Sequence, residues 1–343
     1  MADSVLSAPR SIPLSLFGVP VGLLGLAGAW RVGARLWELP PAIAGAIAAV
    51  GALSWAVLLV FYAKKWWRFR EAAVQEARDP VQSSFVALVW ISTMLVAIAA
   101  IDVSRPAGAV LFAVSIVGQL AVGIWLIGRL WQGGQGADFA TPALYLPAVG
   151  QNFVAASGAA VYGWPQLGTW LFGCGLVSWL ATESVILVRA ATREPIPRVQ
   201  RATMGVQLAP PVVGGVAYLG LTSGPPDIAA HMLFGYGLLQ AAVLLRLWAW
   251  IRQPSFSPTY WSFSFGATAL PTMAMRMVER GATGALLSAV APILFVACNL
   301  MLVYLAVPTL YRLLRGRLLQ PPMLPGAPAS SAVPAASAAA RSS

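Results

Sequence analysis

Few residues in this chain could carry reactive chemistry. Its 343 residues hold one histidine, His231, two cysteines, Cys174 and Cys298, and eleven acidic residues. The cysteines lie in separate apolar stretches and His231 stands alone near a connection, so neither a zinc site nor a disulfide framework can be assembled. There is no HExxH, no GxSxG and no carboxylate pair from which to build hydrolysis or group transfer. The chain therefore reads as a non-enzyme with no cofactor and no metal. Glu183 is the only acidic residue well inside an apolar segment. It has two readings: a coupling carboxylate for proton-driven transport, or a structural ion pair with Arg246.

The remaining chemistry is that of exclusion. In the stretch Tyr260 to Pro271, YWSFSFGATALP, Phe263 and Phe265 alternate with Ser262 and Ser264, and Gly266 and Pro271 follow. Gly and Pro at mid-membrane depth release backbone groups that lipid cannot satisfy, so such a helix should face protein or a water-filled cavity. An aromatic ring at a narrowing excludes water and ions by dewetting. The stretch predicts a bent helix with Phe265 as a pore gate and Gly266 as its hinge. Ser262 and Phe263, with Gln151 and Gln207 on other helices, are the candidate pore-lining residues.

The elements that position these residues follow from composition. The chain is 59% hydrophobic and 10% charged, with a mean hydropathy of +0.75, where soluble domains carry roughly 25% charged residues. Apolar segments long enough to cross a bilayer fall at about 14–30, 42–63, 83–101, 107–127, 143–162, 167–188, 204–222, 228–248, 260–278 and 282–306. The fold expected is an all-α integral membrane protein of ten transmembrane helices. The start shows no removable signal peptide. The net charge of +11 does not imply a nucleic-acid partner, because the basic residues fall in the connections. Of the 22, 17 follow even-numbered segments or flank the ends, which places both termini in the cytoplasm. Trp66, Trp67, Trp131, Trp164, Trp248 and Trp261 lie near segment ends and read as interface anchors. Residues 1–13 are expected to be a cytoplasmic segment, 14–315 the membrane domain and 316–343 a disordered, Pro-, Ala- and Ser-rich tail.

The odd-numbered segments recur every 55 to 70 residues, so the chain reads as five helical hairpins. Four odd segments hold breakers: Pro20, Pro147, Pro210 with Pro211, and Gly266 with Pro271. Small-residue faces, Gly18, Gly22, Gly25 and Gly28 on the first and Gly214 and Gly215 on the seventh, permit close helix approach. The simplest arrangement is an inner ring of five kinked odd helices around a central pore, with five straighter even helices outside. No odd helix carries a central carboxylate, and exposed N–H groups at helix breaks attract anions, so the expected permeant species is an anion.

Seven strings, FGVPVGL, LWQGG, YLPAVGQNF, RATMGVQLAP, FGYGLLQ, LLRLW and FSFG, together resemble the tellurite-resistance and dicarboxylate transporter family of bacterial TehA proteins, which also holds the slow anion channels of plant guard cells. The resemblance covers about residues 13–315. It implies ten helices in five hairpins, an inner five-helix pore, assembly as a homotrimer in the bacterial inner membrane, and a phenylalanine on the ninth helix that occludes the pore. The matching position in FSFG is Phe265. Two functions are thereby expected to compete: a gated channel for small inorganic anions, and a proton-coupled carrier of dicarboxylates or of oxyanions such as tellurite. Five similar hairpins about one axis favour the channel over two alternating halves.

Overall fold

The computed structural model describes residues 12–316 except 80, 135–138 and 283, together with residue 318. Nearly all of the expected terminal segments, 1–13 and 316–343, lie outside the described residues. Among the described residues the regular structure is entirely helical. In chain order the α-helices are α1 (Gly18–Trp37), α2 (Pro41–Arg68), α3 (Arg70–Arg78), α4 (Gln82–Phe85), α5 (Ala87–Ala99), α6 (Arg105–Trp131), α7 (Gln151–Tyr162), α8 (Pro165–Thr192), α9 (Ala209–Leu221), α10 (Ile228–Ile251), α11 (Ser262–Glu279) and α12 (Ala285–Leu314).

Eight helical stretches among the described residues are long and apolar enough to cross a membrane. The two expected segments outside that set have local reasons. Segment 143–162 is split by a π-turn at Leu146–Gly150, which leaves α7 only 12 residues. In α11, Ser262, Ser264, Thr268, Thr272 and Arg276 dilute the apolar composition over 18 residues.

The long helices fall into two classes by burial. In their most apolar windows the stretches Leu14–Trp37, Gln82–Asp102 and Arg198–Leu221 are 67%, 61% and 72% buried, whereas Pro41–Arg68, Arg105–Gln132, Pro165–Thr192, Ile228–Ile251 and Ala285–Leu314 are 17% to 33% buried. Most residues of α7 and α11 are buried as well. Packing contacts pass from α1 to α5, α7, α9 and α11, and from α11 back to α1. Each of these buried helices also packs on the exposed helix that follows it.

Proline acts differently from the mid-helix kinks expected at Pro20 and Pro210. Both stand in the first turn of an α-helix that grows out of a 3-10 segment, Leu14–Phe17 ahead of α1 and Arg198–Leu208 ahead of α9. The missing N–H costs little in that position, so these residues set a helix start. Pro147 lies inside the π-turn. Only Pro271 interrupts one of these buried α-helices, depriving the carbonyl of Ala267 of its usual donor. The third segment, which has no proline, also changes geometry, at Val86 between α4 and α5. Every buried helix is therefore preceded by a break in regular α geometry near its N-terminus.

Lipid offers no hydrophobic drive for helices to associate, so close packing of small residues must supply it. The seam between α1 and α11 shows this directly. A Cβ at Gly18 would lie 2.8 Å from Trp261 Cβ, at Gly22 2.5 Å from Ser264 Cβ, and at Gly25 2.4 Å from Thr268 Oγ1. Gly28 has open space beyond its Cα. The tryptophans also divide. Trp67 and Trp131 are fully exposed, whereas Trp261 is buried and donates from Nε1 to Thr309 Oγ1 at 2.9 Å, so it is a core residue and not an interface anchor.

Candidate functional site

The seam between α1 and α11 fixes the rotation of α11. With Trp261, Ser264 and Thr268 turned toward α1, the ring of Phe265 projects beside the seam, within van der Waals reach of a Cβ at Gly25 (3.8 Å). It is half-buried and borders two separate cavities. One, of about 20 Å³, lies toward the helix starts and is lined by Ser15, Gly18, Val206 and Ser262. The other, of about 120 Å³, lies toward the helix C-termini and is lined by residues of α1, α5, α7, α9 and α11. A space of about 20 Å³ is close to the minimum for one water. The larger one has room for several.

The wall of the larger cavity has a particular chemistry. Its hydroxyls are occupied as donors: Thr268 donates to Ser264 O at 3.0 Å, Thr272 to Thr268 O at 2.7 Å and Ser157 to Phe153 O at 3.1 Å. Two arginines complete the lining, Arg31 and Arg276. Arg31 pairs with Asp102 at 3.0 Å and donates to Ala99 O at 3.2 Å. Arg276 donates to Val216 O at 3.4 Å. Nearby, Glu279 is held in a bidentate pair by Arg35, at 2.6 and 3.3 Å. Both arginines fall in the C-terminal parts of apolar segments, where sequence reading treats them as ordinary flanking charges. Arg276 follows Phe265 along one face of α11, together with Thr268 and Thr272, a helical spacing the sequence does carry; Arg31, on α1, gives no such signal.

Several expected lining residues face elsewhere. Phe263, 200° of helix rotation from Phe265, packs edge-on against Trp248 with ring centroids 5.6 Å apart, and covers Gly205. Gln151 turns toward α6, donating to Gln119 O at 3.0 Å and Pro147 O at 2.5 Å. Gln207 is buried, its amide oxygen without a hydrogen-bond partner among the described residues. None of the three lines the two cavities beside Phe265. Ser262 does border the smaller cavity, and its hydroxyl donates to Ala202 O. Gly266 lies within the helical stretch of α11, where a Cβ would sit 2.7 Å from Leu208 Cβ. Its observed role is close packing.

Glu183 is not paired with Arg246 among the described residues. Its carboxylate accepts from the Tyr145 hydroxyl at 2.5 Å, from Trp179 Nε1 at 2.9 Å and from the Tyr236 hydroxyl at 3.0 Å. Arg246 is exposed. Position explains the difference: three neutral donors reach the half-buried carboxylate from α8, α10 and the turn ahead of α7, whereas a long arginine on an exposed helix face can extend into headgroups.

Comparison with known proteins agrees with this architecture. The SLAC1 family profile, described as voltage-dependent anion channel, matches residues 11–310. The chain is 35% identical over 315 residues to a protein of Haemophilus influenzae named tellurite resistance protein TehA homolog, covering 91% of this chain and 94% of that one. It is also 22% identical over 247 residues to an uncharacterized transporter of Methanocaldococcus jannaschii, covering 63% of this chain and 71% of the relative. The family match over nearly the whole chain, joined to an all-helical fold with membrane-length helices, establishes a multi-pass membrane protein of an anion transporter or channel class: the chain belongs to the SLAC1 family.

Proposed function

We propose that the protein is a gated channel for small inorganic anions, closed by Phe265. The observation that carries this reading is that the Phe265 ring borders a cavity on each side of it. On this reading the five buried helices form a ring about a conduit, and α7 and α11 complete ten spans arranged as five hairpins. The cycle of packing contacts and the burial classes support it. Gly266 is then the point where α11 yields as the ring swings. Residues 14–315 form the channel domain of a bacterial inner-membrane protein, both termini are cytoplasmic because the basic connections lie on that side, and the protein assembles as a homotrimer. Passage of tellurite or other oxyanions is a consequence of weak selectivity among anions, in keeping with the name of the Haemophilus relative.

The competing reading, a proton-coupled dicarboxylate carrier, needs a carboxylate able to exchange protons along the transport route. Glu183, the residue best suited by sequence, is engaged by three hydrogen-bond donors and borders neither cavity beside Phe265. The deciding experiment is current against voltage for wild type and Phe265→Ala in an asymmetric chloride gradient. Large mutant currents that reverse near the chloride equilibrium potential and ignore pH support the channel. Absent current with saturable, pH-driven dicarboxylate uptake supports the carrier.

A further inference from the structure

Building on the channel reading, the geometry points to Arg276 as an anion-binding residue, holding one small monovalent inorganic anion in the cavity on the C-terminal side of Phe265. The first ground is the direction of the helices. The five buried helices line this cavity from beyond their midpoints, and α5 and α7 bring their last turns to it through Ala99 and Val161. Carbonyl-rich helix ends carry partial negative charge, so this mouth would repel an anion unless basic side chains offset it. Exposed backbone N–H groups, the attraction expected from sequence, belong to the opposite ends of these helices.

The second ground is the donor supply. Thr268, Thr272 and Ser157 already donate to backbone carbonyls, so the guanidinium groups are the donors left to a guest in the cavity. The third is the distribution of counter-charge. Asp102 pairs with Arg31, and Glu279 with Arg35. No carboxylate among the described residues lies within ion-pair distance of Arg276, which donates over a long 3.4 Å to Val216 O. Arg280 is directed elsewhere, to Gly224 O at 2.8 Å and Leu219 O at 2.9 Å. Arg276 thus keeps donors beside a cavity of about 120 Å³, with the neighbouring Glu279 already held by Arg35, and a cavity of that size suits an anion of chloride size better than a dicarboxylate.

The test uses the full-length chain in planar bilayers with Phe265→Ala as parent, titrating chloride on the Arg276 side. Adding Arg276→Gln is expected to raise the half-saturating chloride concentration about fivefold or more and to lower chloride permeability relative to sodium, since a unit charge near a partly solvated site contributes on that scale. Arg276→Lys should fall between. The Lys variant, which keeps the charge and loses the planar fork, carries the test if the Gln variant does not reach the membrane, a half-saturation equal to the parent's counting against the assignment. Unchanged saturation and selectivity in a conducting parent overturn the Arg276 assignment alone. A parent that conducts no chloride overturns the channel reading, and this inference with it.

Discussion

The hydroxyl of Tyr145 donates to Oε2 of Glu183 at 2.5 Å, tying the turn ahead of α7 to α8, and Tyr236 adds α10 to the same carboxylate. Three elements share one half-buried acceptor. Removing it by Glu183→Ala leaves the donors of Tyr145, Trp179 and Tyr236 without their partner. Each orphaned buried donor costs about 1–3 kcal/mol, so the thermal midpoint in detergent should drop by several degrees. Tyr145→Phe should cost less. An unshifted midpoint for the alanine variant would refute the role. Glu183→Gln should leave transport equally indifferent to pH, and a pH dependence lost in that variant would restore the carrier reading.

At Phe265 the effect should scale with ring size. If the side chain closes the conduit by dewetting, Phe265→Leu should raise conductance modestly and Phe265→Ala by about tenfold or more, a change equivalent to about 1.4 kcal/mol in the barrier. Phe263→Ala should not raise it, because Phe263 packs on Trp248. Single-channel recording of the three variants checks the order, and equal currents for the 263 and 265 variants would contradict it.

Gly22 tests the seam that orients the gate. A methyl group there would lie 2.5 Å from Ser264 Cβ, so Gly22→Ala must push α1 and α11 apart. Overpacking of this kind costs about 1–3 kcal/mol. Gly28→Ala meets nothing within 4 Å and should be nearly neutral in the same thermal assay. The contrast between the two, both on one apparent glycine stripe, is the informative quantity.

The connection before α10 carries a pH-dependent contribution. Asp227 accepts from the Tyr218 hydroxyl and from Ala230 N–H at 3.0 Å, capping the helix. These bonds, the Tyr218 one foremost, hold its carboxyl below the usual aspartate value. The stabilisation is therefore fully present above the ordinary aspartate pKa of about 4 and is lost as pH falls through the lowered folded value. Asp227→Asn should flatten the acid limb of a stability-against-pH curve. An identical limb in wild type and variant would remove Asp227 from the account.

What the sequence determined by itself was what local composition and periodicity can encode. Membrane-length apolar runs, the paired rhythm of breakers and the singling out of Phe265 in FSFG were all legible, because hydropathy and proline or glycine chemistry act within a turn or two of their own residue. The tertiary structure decided which way each side chain faces. Phe263 and Phe265 are equivalent by type and both sit at the start of α11, and only the docking of Gly18, Gly22 and Gly25 against that helix turns one toward the cavities and the other toward Trp248. Glu183 found Tyr145 and Tyr236 in place of Arg246, and Arg31 and Arg276 met at one cavity from residues 245 apart in sequence. Such pairings depend on helix rotation and neighbour identity, which are set by contacts between distant segments and leave no trace in the spacing along any one of them.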